Sequence, residues 1–176
     1  ETALAMERAL TPEEIFTTAA EQFRKLGFSC MVFLTDEAQS TLFTRYLSYE
    51  GRMLKAAEDL VGIKHEDFSM PIETVDTYRV VVREKKSAFV DSAEDGLRQA
   101  LPKPVKRFAR RIARMLKVPR AIAAPLIVED RVIGVLSVLS DDLTEGDIPA
   151  VTAFAHQMAA AWRKAQLMQD LQNSLE

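Results

Sequence analysis

The sequence is poor in the residues that most often announce a chemistry. It has one cysteine, Cys30, so it can close no internal disulfide and build no multi-cysteine zinc or redox centre. Its two histidines, His65 and His156, have no cysteine partner and do not make a zinc site by their spacing, so no metal is expected. Only six glycines are present, and none falls in a Gly-x-x-x-x-Gly-Lys phosphate loop or a Gly-x-Ser-x-Gly nucleophile elbow. No apolar run exceeds the eight residues Ala121–Val128, which include a proline, whereas a membrane-spanning helix needs about 20. Membrane insertion is therefore not expected. The first ten residues lack a basic start followed by an apolar stretch, so no secretory signal is expected and a cytoplasmic location is.

What is present is an ordinary globular composition. Of 176 residues, 48% are apolar and 28% charged, which suits one packed domain with helical extensions and not a disordered chain. The first ten residues read as a weakly patterned linker helix. Thr11, Pro12 and Glu14 then form a capping box, with Leu10 and Ile15 spaced as its hydrophobic staple. Ile15, Ala19, Phe23 and Leu26 share one face before Gly27, which predicts a helix over 12–26.

Six strands follow from the pattern: 28–35, 41–49, a third through Phe68, Met70 and Ile72, then 87–91, 120–128 and 131–140. The last two meet at Glu129-Asp130, a tight hairpin turn. Met53, Ala57 and Leu60 mark a short helix ending at Gly62, and 76–85 another. The stretch 97–116 is helical in pattern but broken by Pro102 and Pro104. A second capping box, Thr144 with Asp147, opens the final helix, with Leu143 and Ile148 as its staple. Val151, Phe154, Met158, Ala161, Ala165 and Met168 then keep the 3-4 spacing of a coiled-coil seam. A helix of about 30 residues is ~45 Å long, so its tail should project from the body.

These residues resemble a known family. Pro125-Leu126 opening a strand, the hairpin, Ile133-Gly134-Val135-Leu136-Ser137-Val138, the cap Thr144-Glu145-Gly146-Asp147 and the long helix resemble the C-terminal half of a GAF domain. Gly146 departs from the pattern, standing where a helix-forming acid is usual. The resemblance covers roughly 11–166, leaving 1–10 as an N-terminal linker helix and 167–176 as a C-terminal coiled-coil linker. It implies an α+β fold: a six-stranded antiparallel sheet, helices on both faces and a long projecting C-terminal helix. It also implies a non-enzymatic sensory or regulatory module of a bacterial two-component signalling protein, of the sensor histidine kinase type, with flanking signalling domains in the same chain. Two other readings stay open: a ligand-free structural dimerisation module, and a regulatory domain of a transcription factor.

Within that resemblance, several chemistries are excluded. Tetrapyrrole-binding members attach their chromophore through a mid-domain cysteine, whereas Cys30 sits in the first strand and reads as a buried structural thiol. Free methionine sulfoxide reductases of this type use several cysteines. Cyclic-nucleotide binders carry Asn-Lys-Phe-Asp-Glu, and the only asparagine here is Asn173. Either histidine is in principle an axial haem ligand, but His65 reads as a polar-loop residue and His156 as facing solvent or a partner helix. No cofactor is identifiable, which leaves room for an unidentified small-molecule ligand. The family's pocket lies under the middle segment, where Phe68, Met70, Tyr78, Phe89 and Arg98 are candidate lining residues and Asp91 a candidate contact. Plain core packing is the alternative for each aromatic.

Two surfaces complete the expectation. From 103 to 120 there are eight basic residues and no acid: Lys103, Lys106, Arg107, Arg110, Arg111 and Arg114, then Lys117 and Arg120. That leaves 15 basic residues against 26 acidic ones elsewhere, a balance of −11. Val105, Phe108, Ile112 and Met115 make an apolar stripe opposite the arginines. The basic face reads as solvated surface in preference to a docking site for an anionic partner, and nucleic acid is not expected. The terminal helix is expected to form a parallel homodimer through Met158, Ala161, Trp162, Ala165, Met168, Leu171 and Leu175. Ala159 and Ala160 allow close approach, and Leu4 and Met6 extend the contact. Trp162 is expected to be substantially buried against the sheet or a second chain.

Overall fold

A computed structural model describes residues 11–49, 51–117 and 120–176. The expected linker helix 1–10, with Leu4, Met6 and the staple residue Leu10, lies outside them. The first helix, α1 (Pro12–Lys25), starts at the capping box: Thr11 Oγ1 accepts from the Glu14 N–H, and the Glu14 carboxylate accepts from the Thr11 N–H, both at 3.3 Å. It ends just before Gly27, whose φ of +85° needs a residue without a Cβ.

Six strands form one antiparallel sheet: β1 (Ser29–Thr35), β2 (Thr41–Leu47), β3 (Ser69–Pro71), β4 (Ala88–Val90), β5 (Ala121–Val128) and β6 (Arg131–Leu139). Their spatial order is β3-β2-β1-β6-β5-β4, so the chain fills one side, crosses over, and returns to close the centre with the β5–β6 hairpin. That hairpin turns at Glu129 and Asp130 with φ of +51° and +68°, the paired positive values of a two-residue turn that follows strand twist.

Helices cover both faces. α1 and the C-terminal helix α6 (Ile148–Ser174) pack on each other and on the sheet, with Phe16, Ile122, Leu126, Leu136 and Met158 in their shared core. The other face carries α2 (Arg52–Val61), α3 (Asp76–Glu84), α4 (Ala93–Ala100) and α5 (Ala109–Leu116). This is why the central strands are apolar at nearly every position: both of their faces are covered.

The third strand is shorter than expected. Pro71 has no N–H to donate to a continued ladder, and Ile72 leaves the sheet for a 3-10 turn (Ile72–Thr74). The proline-broken stretch is also rearranged. Its first helix begins at Ala93, before Leu97, and Lys103–Phe108 is a 3-10 turn. Only Arg110, Arg111 and Arg114 of the basic run therefore ride an α-helix.

The basic residues have different surroundings. Lys106 Nζ donates to the carbonyls of Arg98 and Gln99 at 2.6 and 3.3 Å, closing the last turn of α4. Arg107 lies over the Phe108 ring at 4.8 Å. Lys103, Arg110, Arg111 and Arg114 are exposed, while Ile112 beneath them is buried. Replacing Arg107, Arg110 and Arg114 together with glutamine should leave the fold intact, at less than about 0.5 kcal/mol per site. Urea unfolding of the triple variant checks this, and a collapse of cooperativity would show these side chains to be structural.

Candidate ligand site

Between the sheet and the α2–α5 layer lies a cavity of about 200 Å³. Its floor follows from strand parity. On β5, Ala121 and Ala123 face the cavity, while Ile122, Ala124 and Leu126 face α1 and α6. On β6 the cavity-facing positions include Ser137 and Leu139, with Leu136 and Val138 turned the other way. Two alanines and a serine leave space where larger side chains would fill it. Met31 and Phe33 of β1 complete the floor, and Leu54, Leu97, Ile112 and Leu116 descend from the helices as the roof.

Of the residues singled out from sequence, the structure brings Phe68, Met70 and Tyr78 to this cavity. Phe89, Asp91 and Arg98 lie elsewhere. Phe89 pairs with Ile122 and points to the α1/α6 side, while its neighbours Ala88 and Val90 take the cavity parity. Asp91 forms an ion pair with Arg120 at 3.5 Å. Arg98 turns outward to Glu94 and Asp95, at 3.3 and 3.2 Å.

The polar members of the wall were largely missed. Ser137 is the one buried polar residue among those described, and its Oγ lies 3.1 Å from the Tyr78 hydroxyl. A lone serine in the otherwise apolar Val135–Leu139 stretch was its sequence signal. Burial pushes the Tyr78 phenol up, against the opposing pull of the Ser137 hydrogen bond. The Tyr49 phenol is pushed up to about 12, again by burial. Thr44 Oγ1 is spent on the Phe68 carbonyl at 2.9 Å.

His65, read as a polar-loop residue, opens the 3-10 turn His65–Asp67 between α2 and β3, and there it meets Glu58 of α2 in the cavity wall. One Glu58 oxygen accepts from the His65 backbone N–H at 2.9 Å and lies 3.3 Å from Nδ1. The backbone bond is the first reason that the Glu58 carboxyl is held below its usual range. No spacing rule links positions 58 and 65; the turn after α2 brings them together. His156 is exposed on α6. Among the described residues, no group of three or more His, Cys, Asp or Glu side chains comes together as a metal site.

Cys30 is on the opposite face of the sheet, buried in the α1/α6 core, with its thiol pushed up to about 12 by burial. Native protein at pH 8 should therefore resist alkylation, and modification should track unfolding when followed by mass spectrometry against denaturant. Fast modification of the native state would contradict this burial.

The seam expected along the last helix is divided. Met158 and Ala165 are buried in the domain's own core, Trp162 is half-buried against Phe16 at a ring distance of 6.4 Å, and Ala161 is also half-buried. Ala159 is buried, so its small side chain serves packing inside the domain. Leu167, Met168, Leu171 and Leu175 are 50–80% exposed. Among the described residues, no helix is long and apolar enough to cross a membrane.

This sheet order, with a long terminal helix behind it and a cavity beneath the middle segment, agrees with a family pattern described as a GAF domain that matches residues 9–163. The chain belongs to the GAF domain family. GAF domains serve as sensory and regulatory modules of signalling proteins, and they can bind small molecules. No curated protein sequence matches this one significantly. Solved structures do share its fold. A segment of a methyl-accepting chemotaxis protein is 16% identical with a TM-score of 0.69, covering 96% of this chain and 98% of that one. The second GAF domain of DevS from Mycobacterium smegmatis is 19% identical at 0.61, covering 91% and 99%. The phycoerythrobilin-bound GAF domain of a cyanobacterial phytochrome is 17% identical at 0.63, covering 96% and 94%. At these identities the likeness speaks to the fold alone.

Proposed function

We propose that this GAF domain is the non-enzymatic sensory module of a cytoplasmic bacterial signalling protein, a histidine kinase of a two-component system. A small molecule enters the cavity, changes the packing of α2–α5 on the sheet, and the change passes through the sheet to α6 and on to a flanking effector domain. The cavity carries this reading. A well-packed interior has few voids larger than a water molecule, and here about 200 Å³ is kept open by alanine and serine on the central strands. Filling it is the test. Ala123→Leu should remove any small molecule retained by the purified protein in native mass spectrometry, and should change kinase output in the full-length chain. An empty domain and an unaltered output would overturn the sensor.

The exposed Leu167, Met168, Leu171 and Leu175 favour an accompanying role in parallel homodimerisation through the terminal helices. If the cavity takes up nothing and the tail still dimerises, the domain is a structural spacer. Sedimentation over a concentration range reads the dimer, and a strict monomer at high micromolar concentration would exclude it.

A further inference from the structure

The cavity's wall is selective in charge. Among the described residues neither lysine nor arginine lines it, although the chain has 23 such residues. Among the described residues its one carboxylate is Glu58, which is engaged by His65. An anionic ligand would therefore lose its hydration and meet no lysine or arginine, while the His65 ring is already held by Glu58. Phosphates, carboxylates and cyclic nucleotides are disfavoured on this ground alone.

Size sets a second limit. A cavity of about 150 Å³ lined by aliphatic and aromatic side chains accommodates benzene. At about 200 Å³, this one holds a single substituted ring or a small fused pair, but not a tetrapyrrole. Met31, Phe33, Phe68 and Met70 supply the thioether and ring surfaces that pack well against a planar arene.

Polarity sets the third. Tyr78 and Ser137 together own two hydroxyl hydrogens, and the single bond between them spends one. The other has no protein acceptor among the described residues, although both side chains line the cavity. A ligand oxygen or ring nitrogen reaching this pair would satisfy it.

Building on the sensor reading above, we infer that the ligand is a small uncharged aromatic compound carrying one hydrogen-bond acceptor, with its ring among Met31, Phe33, Phe68 and Met70 and its acceptor at the Tyr78–Ser137 hydroxyl pair.

Calorimetric titration with four probes tests this: p-cresol, toluene, 4-hydroxybenzoate and cyclic AMP. p-Cresol should bind at least tenfold more tightly than 4-hydroxybenzoate, which exchanges its methyl for a carboxylate, and about fivefold more tightly than toluene. The Tyr78→Phe/Ser137→Ala double variant should retain toluene binding and lose the p-cresol preference. Ala123→Leu should abolish binding of both neutral probes. Gly96→Leu, at a cavity-lining helical site where a Cβ meets nothing within 4 Å, does the same job if Ala123→Leu does not fold. Binding of 4-hydroxybenzoate or cyclic AMP as tight as p-cresol, and lost in the filled variant, would overturn the ligand class while leaving the sensor standing. p-Cresol binding that survives the filled variants would place the site elsewhere and overturn the inference. If none of the four binds at millimolar concentration, the inference fails, and native mass spectrometry then decides the sensor reading separately.

Discussion

Replacing Gly134 with alanine should destabilise the domain by about 3 kcal/mol or more, a large share of the roughly 5–15 kcal/mol that holds a typical domain together. Gly134 is in β6, between Leu34 of β1 and Leu126 of β5. A Cβ there would stand 2.2 Å from the Phe33 carbonyl oxygen and 3.0 Å from Leu34 Cδ2. The first neighbour is backbone in a central strand and has no rotamer by which to withdraw. β1 and β6 would have to part, and with them the pairing that joins the two halves of the sheet. Gly146→Ala is the control. Its Cβ meets only Thr144 Oγ1, at 3.4 Å, in the exposed first turn before α6, so that change should stay within about 1 kcal/mol and lean towards stabilisation. Urea unfolding of both variants provides the measurement. A loss below about 1 kcal/mol for Gly134→Ala would mean that the strands can separate locally at little cost.

Met158→Ala is the second large effect, expected to cost about 2–4 kcal/mol. The side chain is fully buried between α6 and the sheet, in the cluster that also holds Phe16, Leu126 and Leu136. Truncation removes its contacts and leaves a void that the surrounding strands, paired on both sides, cannot close. Leu171→Ala, four turns nearly further along the same helix, should change stability by less than about 0.5 kcal/mol at low micromolar concentration, because Leu171 is 62% exposed. It should instead weaken any concentration-dependent association. Equal losses at the two positions would show the tail docked on the domain in solution.

Much of the architecture was legible because its signals are local. Thr11, Pro12 and Glu14 satisfy helix-end donors within one turn of chain, and the observed bonds are the ones the residue types demand. Glu129-Asp130 between two apolar runs sets a hairpin for the same reason. Pro71, Pro102 and Pro104 mark where regular structure stops, although not what replaces it: the 3-10 turns after Pro71 and Pro102 depend on what the segments pack against. The candidate site was legible only in part. Phe68 and Tyr78 reach the cavity wall, whereas Phe89 does not, since every residue of Ala88–Val90 is apolar and a three-residue strand carries no sign of which parity faces which layer.

By itself, then, the sequence determined the succession of elements and the two-layer cover implied by doubly apolar strands, since each of these follows from neighbours within a few residues. Tertiary structure alone decided the rest. Register put Ala121, Ala123 and Ser137 on one face and so opened a cavity there, and it set Ser137 beside Tyr78 across 59 positions of chain. Packing of α6 on its own sheet spent Met158 and Ala165 inside the domain and left only Leu167, Met168, Leu171 and Leu175 exposed, dividing what reads in sequence as one continuous seam. A helical stripe has one periodicity whether it meets a sheet or a second helix, and only the length of the sheet beneath it settles where the first contact ends.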